Sequence, residues 1–105
     1  MTLMMNCPMN FGSPETNKVM PTISTFFGIV IKMFFDDHNP PHFHAEYQGD
    51  MAVFDFRGNI LAGDIRSRTA VRLIREWIDL HQTELAENWE DLQNGRGFRK
   101  IPPLT

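Results

Sequence analysis

Four short apolar segments, joined by short turn sequences, do most to limit the folds open to this chain. The segments are rich in Phe, Ile and Val, which favour strands, and the connectors contain the Gly, Pro, Asn and Asp typical of turns. Because a parallel connection needs a crossover of about a dozen residues or more, these connectors predict a meander of antiparallel strands. The four predicted strands are Phe26–Phe35, Phe43–Tyr47, Met51–Phe56 and Ile60–Ile65.

The hydrophobic pattern changes to a helical period from about Arg68 onward. Apolar and aromatic side chains then fall within one arc at about 100° per residue. Ser67 is suited to cap the first turn, and Asn94-Gly95 is a typical helix end. The pattern predicts one long helix, or two helices with a break near His81–Thr83. The members of the arc are Ala70, Ile74, Trp77, Ile78, His81, Leu85, Trp89 and Leu92.

Together these segments predict an α+β fold, in which a small antiparallel sheet of about four strands packs on one long or broken C-terminal helix. The 105 residues suit one domain. Residues 1–19 show no apolar periodicity, and we expect them to form a disordered or loosely attached leader. Residues 20–105 are then the single α+β domain.

Composition excludes several classes of function. A net charge of −3 removes any whole-protein electrostatic argument for nucleic-acid binding. The longest apolar run, Phe26–Phe35, is about half the length of about 20 residues that a membrane helix needs, so we expect no membrane span. Cys7 is the only cysteine, which rules out an internal disulfide and fits a reducing cytoplasm, the location that we expect.

A dense histidine block marks the candidate site. Residues 36–47 read Asp-Asp-His-Asn-Pro-Pro-His-Phe-His-Ala-Glu-Tyr and place three of the four histidines within seven residues. Alternation along the predicted strand puts His42, His44 and Glu46 on one face and the intervening residues on the other. If the helix packs on that second face, the imidazoles protrude from the side of the sheet that the helix leaves uncovered.

The block is compatible with two kinds of chemistry. Imidazole and carboxylate groups bind Zn²⁺ in proteins, so we predict a site for a divalent transition metal such as zinc at His42 and His44. Glu46 and Asp37 are the expected carboxylate ligands. Alternatively His42, His44 and His38 are catalytic and serve as general acid and base on a phosphodiester without a metal. A third interpretation is purely structural: the Asp, Asn and Pro residues shape a turn, and the histidines are polar surface.

Three basic residues are candidates for binding nucleic acid or phosphate, namely Arg66, Arg99 and Lys100. Arg66 precedes the predicted helix. The other two lie in a proline-containing tail that we expect to be extended and to run back along the sheet.

Other polar residues of the helix are expected to be structural. Arginines on the face opposite the apolar arc have acids four residues away, which predicts ion pairs between Arg72 and Glu76 and between Arg75 and Asp79. His81 lies within the arc, and we expect a core histidine with a hydrogen-bond partner.

Six motifs of this chain can be compared with known families: Met20-Pro21-Thr22-Ile23-Ser24, Phe27-Gly28-Ile29, the stretch Asp37–Ala45, Trp77 with Leu80-His81, Glu87-Asn88-Trp89 and Arg99-Lys100-Ile101. Together they resemble one bacterial family, which is catalogued as domain of unknown function 4160. The resemblance runs from Met20 to about Leu104. It implies a small prokaryotic protein, often encoded beside another small uncharacterised protein in an arrangement typical of toxin–antitoxin pairs. It implies no established activity and no catalytic residues.

Two functional hypotheses follow. In the first, the chain is a small intracellular protein of toxin–antitoxin type that acts on RNA or another phosphodiester, as a ribonuclease-like or metal-dependent hydrolase. In the second, it is a non-catalytic module that binds a metal or a small cognate protein, through the histidine face or the acidic helix flank within residues 84–91. The sequence leaves open whether the chain is an enzyme and whether it forms a homodimer.

Overall fold

The computed structural model of the chain describes residues 21–34 and 39–105. The predicted leader at 1–19 and the block residues at 36–38 lie outside the described residues. The described chain forms five strands followed by two helices. The strands are β1 (Thr22–Phe26), β2 (Ile29–Lys32), β3 (His42–Tyr47), β4 (Asp50–Asp55) and β5 (Ile60–Asp64), and the helices are α1 (Arg68–Leu80) and α2 (Gln82–Gln93).

The strands lie in one sheet in the order β1-β2-β3-β4-β5, and all neighbouring strands are antiparallel. The α+β class and the antiparallel meander are therefore confirmed, but the predicted number of strands is wrong. The segment predicted as one strand, Phe26–Phe35, contains a hairpin turn at Phe27-Gly28. The two turn residues have positive φ values of 52° and 81°, as the tightest hairpin turns require. Because phenylalanine rarely adopts such a φ, only Gly28 signalled this turn in the sequence.

The helical arc is divided at His81, where a φ of −126° and a ψ of 33° interrupt the helical backbone. This break lies in the interval that the sequence predicts, and the form with two helices is the correct one. Ser67 Oγ accepts a hydrogen bond from the Ala70 N–H at 3.0 Å, which confirms the predicted cap. α2 ends before Asn94-Gly95, and Gly95 has a φ of 72°, as expected of a helix end. No helix in the described residues is long and apolar enough to cross a membrane.

The main core lies between the helices and one face of the sheet, which we call the helix face. The ring of Phe43 on β3 meets Trp77 of α1 edge-on, with centroids 5.7 Å apart, and stacks on Phe54 of β4 at 5.6 Å. Both helices contribute buried residues to this core. The opposite face, which we call the histidine face, carries the residues that alternate with Phe43 and their ladder partners: Val30, Lys32, His44, Glu46, Met51 and Val53.

The two edges of the sheet differ. Beside β1, the C-terminal tail is held by a hydrogen bond from the Ile101 N–H to the Ile23 carbonyl at 2.8 Å. The tail therefore returns along the sheet, as the sequence predicts. On the outer side of β5, no other stretch within residues 21–34 and 39–105 is paired with the strand.

Candidate functional site

β3 brings the imidazoles of His42 and His44 together. In the ladder His44 lies opposite Lys32 of β2 and Val53 of β4. The imidazole centroids of His42 and His44 are 5.6 Å apart, and their planes are inclined by 58°. The proximity that strand alternation predicts is therefore present.

Both imidazoles are buried, which the sequence did not predict. His42 is 3% exposed and His44 is 1% exposed. The ring of His44 packs against Phe34 with centroids 4.6 Å apart, and the ring of His42 packs against Trp89 of α2 at 5.3 Å. The expectation that both rings protrude from an uncovered side of the sheet is wrong, because Trp89 covers His42 and Phe34 covers His44. The interpretation of these histidines as polar surface is wrong for the same reason.

A backbone carbonyl orients the ring of His42. Its Nδ1 lies 2.6 Å from the Pro40 carbonyl oxygen. Since a carbonyl oxygen can only accept, Nδ1 carries the hydrogen, and in the neutral ring Nε2 is the acceptor atom. A carbonyl contact of this kind also orients the imidazoles that bind metals in other proteins. His42 and His44 each make at least one further interaction within the protein.

The predicted carboxylate ligands do not complete a metal site among the described residues. Glu46 lies further along the histidine face, where its Oε2 pairs with Lys32 Nζ at 3.2 Å. Within residues 21–34 and 39–105, no group of three or more His, Cys, Asp or Glu side chains is placed to hold a metal ion. Asp37 and His38 lie outside these ranges. The described part of the predicted site is thus the His42–His44 pair.

Asp55 faces His42 across the β3–β4 ladder, but its carboxylate stabilises the β4–β5 turn. Its Oδ1 accepts hydrogen bonds from the N–H groups of Arg57 and Asn59, both at 2.9 Å, and its Oδ2 accepts one from the Asn59 side chain at 3.0 Å. Burial alone raises the pKa of Asp55, but these hydrogen bonds outweigh it and hold the pKa below the ordinary value of 3.8. Asp55 is therefore an ionised turn-former at neutral pH.

Arg66 lies far from the histidine pair. Its Nη2 pairs with Asp50 Oδ1 at 3.0 Å, and Asp50 faces the far end of β3 from His42. The two ends of β3 are five residue steps apart, which is about 17 Å at about 3.3 Å per step. The hydrogen bonds from Arg66 lower the pKa of the Asp50 carboxyl, and the same contact raises the pKa of Arg66. Arg66 and the histidines therefore do not share one compact site.

The other two predicted phosphate ligands lie beside α2. Arg99 Nη2 is 3.6 Å from Glu87 Oε1 and 3.9 Å from Asp91 Oδ2. Lys100 is exposed and borders a cavity of about 190 Å³ between α2 and the tail. The guanidinium of Arg99 is thus already engaged by carboxylates.

The polar residues of α1 and its end are partly as predicted. Arg72 Nη1 pairs with Glu76 Oε2 at 3.0 Å, which confirms one ion pair. Arg75 does not follow the prediction: its Nε donates to the Gly58 carbonyl at 2.9 Å in the β4–β5 turn. His81 packs on Trp77 with ring centroids 5.7 Å apart and hydrogen-bonds Glu84, which confirms the predicted hydrogen-bond partner, although the ring lies at the edge of the core and is 12% exposed. The contact with His81 lowers the pKa of Glu84.

Sequence reasoning missed a groove that holds the C-terminal tail. The Asn88 side chain is 2% exposed; its Nδ2 donates to the Arg99 carbonyl at 2.7 Å, and its Oδ1 accepts from the Arg99 N–H at 2.8 Å. Trp77 Nε1 donates to the Pro102 carbonyl at 2.9 Å. We call this the tail groove; Ile23, Trp77 and Asn88 form it, and residues 98–104 occupy it. The available signal was an amide at position 88, within the apolar arc of the helix.

Comparison with known proteins gives one match. A family model described as a domain of unknown function (DUF4160) matches residues 28–90. This stretch runs from the β1–β2 turn through most of α2 and includes His42, His44, Trp77 and Asn88. No curated protein and no solved structure matches the chain.

Proposed function

This chain belongs to the DUF4160 family, and on that premise we propose that it is a small prokaryotic partner-binding module of toxin–antitoxin type that docks a small basic cognate protein. The observation that carries the proposal is the charge of α2. This helix contains four acids and no basic residue. Ala86, Glu87 and Glu90 are exposed along it. The acids of this flank, which we call the acidic flank, are Glu84, Glu87, Glu90 and Asp91.

Helix stability does not account for this arrangement. Glu90 and Asp91 lie in the last turn of α2, where negative charge interacts unfavourably with the helix dipole. The turn contains no basic residue, and Asp91 is offset only from beyond the helix end, by Arg96 at 3.0 Å and Arg99 at 3.9 Å. Two of the four acids thus lie where they weaken the helix, and together the four give a complementary surface for a basic partner.

The burial of the histidine pair also favours docking over catalysis. A general acid or base must come within hydrogen-bonding distance of its substrate. Rings that are 3% and 1% exposed are enclosed by the fold in the described state. Glu90 of the acidic flank is exposed, so a partner can reach it in the described state.

The test is co-expression with the product of the adjacent gene, followed by size-exclusion chromatography with light scattering. We expect a stoichiometric complex whose affinity falls with rising salt. Glu90→Lys should weaken the complex about fivefold or more, because it places a like charge against the partner. Glu76→Lys is the matched control, since it reverses an exposed acid on α1, and it should change affinity less than about twofold. Absence of a complex, or equal effects of the two variants, contradicts the proposal.

As a second candidate, we propose that the histidine pair binds a divalent transition metal such as zinc and acts on RNA or another phosphodiester. The orientation of His42 by the Pro40 carbonyl supports this proposal, since it directs the ligand role to Nε2. His38, Asp37 and Glu46 are the additional groups proposed to assist.

Metal analysis of protein purified without an affinity tag tests the second candidate. We expect about one equivalent of metal per chain, strongly reduced in His42→Ala/His44→Ala and unchanged in His81→Ala. A metal content of less than about a tenth of an equivalent in the natural chain counts against metal binding. If the protein arrests growth on induction, the double variant should relieve the arrest while remaining folded.

A further inference from the structure

The tail groove has the features of a peptide-binding site. We propose that a cognate partner inserts an extended cationic segment, with a basic residue two positions before an isoleucine and a proline directly after it, in place of the chain's own tail. This inference rests on the proposed partner-binding function and names what that partner presents. Residues 98–104 then act as an internal ligand that the partner displaces.

The groove recognises backbone atoms. The Asn88 side chain hydrogen-bonds both the backbone N–H and the backbone C=O of one tail residue, Arg99. Because Asn88 is buried within α2, the orientation of its side-chain amide is fixed. Trp77, which is fully buried, offers its indole N–H to a carbonyl three residues further on. Ile23 of β1 accepts the N–H of the residue between them. Backbone contacts of this type give affinity for any extended peptide and leave specificity to a few side chains.

Two side chains of the tail set the expected pattern. Ile101 is 3% exposed and joins the main core, so one aliphatic side chain anchors the peptide. Arg99 lies between Glu87 and Asp91 of the acidic flank. Pro102 and Pro103 are exposed and keep the following segment extended. A foreign segment with the same spacing makes all of these contacts.

Displacement is feasible because a short glycine-containing linker attaches the tail. Gly95 and Gly97 have φ values of 72° and 96°, and the residues from 96 onward form neither helix nor strand. A tail on a short linker competes at an effective concentration in the millimolar range, which a partner with additional contacts on the acidic flank overcomes.

The experiment uses the full chain, labelled with ¹⁵N, and a synthetic peptide of residues 98–105 with a nitroxide on an added N-terminal cysteine. We expect saturable paramagnetic broadening of the Trp77 indole N–H and the Asn88 side-chain amide. A matched peptide with glutamates at the positions of Arg99 and Lys100 should bind at least about tenfold more weakly. The variant Arg99→Glu/Ile101→Ser weakens the binding of the chain's own tail. The peptide with the natural sequence should therefore bind to this full-chain variant at least about tenfold more tightly than to the natural chain.

Each outcome decides the question. If the two peptides give equal broadening, or none at these two groups, the proposal is overturned, and the natural chain supplies this answer even if the variant does not fold. If the peptide does not bind but the partner complex forms and responds to Glu90→Lys, the groove inference fails and the proposed function stands. If the peptide binds but the adjacent gene product forms no complex, the proposed function fails. If the peptide instead dissociates a homodimer of the chain, the occupant is a second copy, which overturns the assignment to a different partner.

Discussion

The two faces of the sheet share the same strands but are packed differently. On the helix face, Phe43 and Trp77 belong to a continuous hydrocarbon core. On the histidine face, Phe34 and Val53 are buried beside His44, outside that core cluster. His44 is 1% exposed there and packs against Phe34, so this face encloses an imidazole among apolar side chains. The comparison teaches that the helix face specifies the fold, and that the histidine face combines burial with polar chemistry.

The largest expected loss of stability comes from a substitution in the core at the helix face. Phe43→Ala removes a fully buried ring that contacts three other aromatic rings, and we expect a loss of about 3–5 kcal/mol in the free energy of unfolding. Urea denaturation measures it. Phe27→Ala is the control, because that side chain is 61% exposed and should change stability by less than about 0.5 kcal/mol. A loss below about 1 kcal/mol for Phe43→Ala shows that the helix face is not the main core.

The second effect concerns the histidine face. His44→Ala should lower the free energy of unfolding by about 1–3 kcal/mol, because it leaves a cavity against Phe34, and the smaller aromatic cluster there provides less packing than the main core. Chemical denaturation of the His44→Ala and Phe43→Ala variants measures the two losses in free energy of unfolding. If the His44 variant proves the more damaging of the two, the ranking of the faces is reversed.

A smaller effect is expected further along the histidine face. Glu46→Gln removes the ion pair with Lys32, whose side chains are 33% and 23% exposed, respectively. Partial exposure lets water and salt screen this pair, so the loss should be about 0.2–1 kcal/mol. The difference from the natural chain should shrink between low and high salt. A difference that does not respond to salt means that Glu46 acts through packing.

The smallest expected effect concerns the contact of Asp50 with Arg66 as pH falls. Because the pKa of Asp50 lies below its ordinary value of 3.8 in the folded chain, its contribution to stability is present above that value and is lost as pH falls through the folded pKa. Asp50→Asn should therefore melt at a lower temperature than the natural chain at pH 7, and the difference should narrow as the pH falls below 3.8. Melting curves from pH 7 to pH 3 measure the gap. If the difference in melting temperature does not change with pH, the Arg66 contact is not its cause.

Local patterns were sufficient for much of the fold. Alternation around Phe43 assigned the faces of β3 correctly, and Ser67 and His81 marked the start of α1 and the break between the helices. The β1–β2 turn was missed because its first residue, Phe27, occupies a backbone region that phenylalanine seldom adopts. Sequence periodicity carries no information about such an exception.

The candidate site was less accessible to sequence reasoning, because burial depends on what the rest of the chain places nearby. The spacing of His42 and His44 predicted their proximity, but not the contact of His42 with Trp89, 47 positions further along the chain. The same holds for Asn88, whose partner lies in the returning tail. Contacts between distant segments are set by tertiary packing, which short-range patterns do not encode.

The returning tail also bears on how copies of this chain can associate. Endless side-by-side growth of sheets requires one edge of each molecule to pair with the opposite edge of the next. In the described part of the chain the tail lies along β1, so β5 is the edge left for another strand. Two β5 edges can meet only about a two-fold axis, and that union closes on itself. With the tail in place, the open edge of the described sheet allows two copies to pair but does not allow a continuous array of sheets.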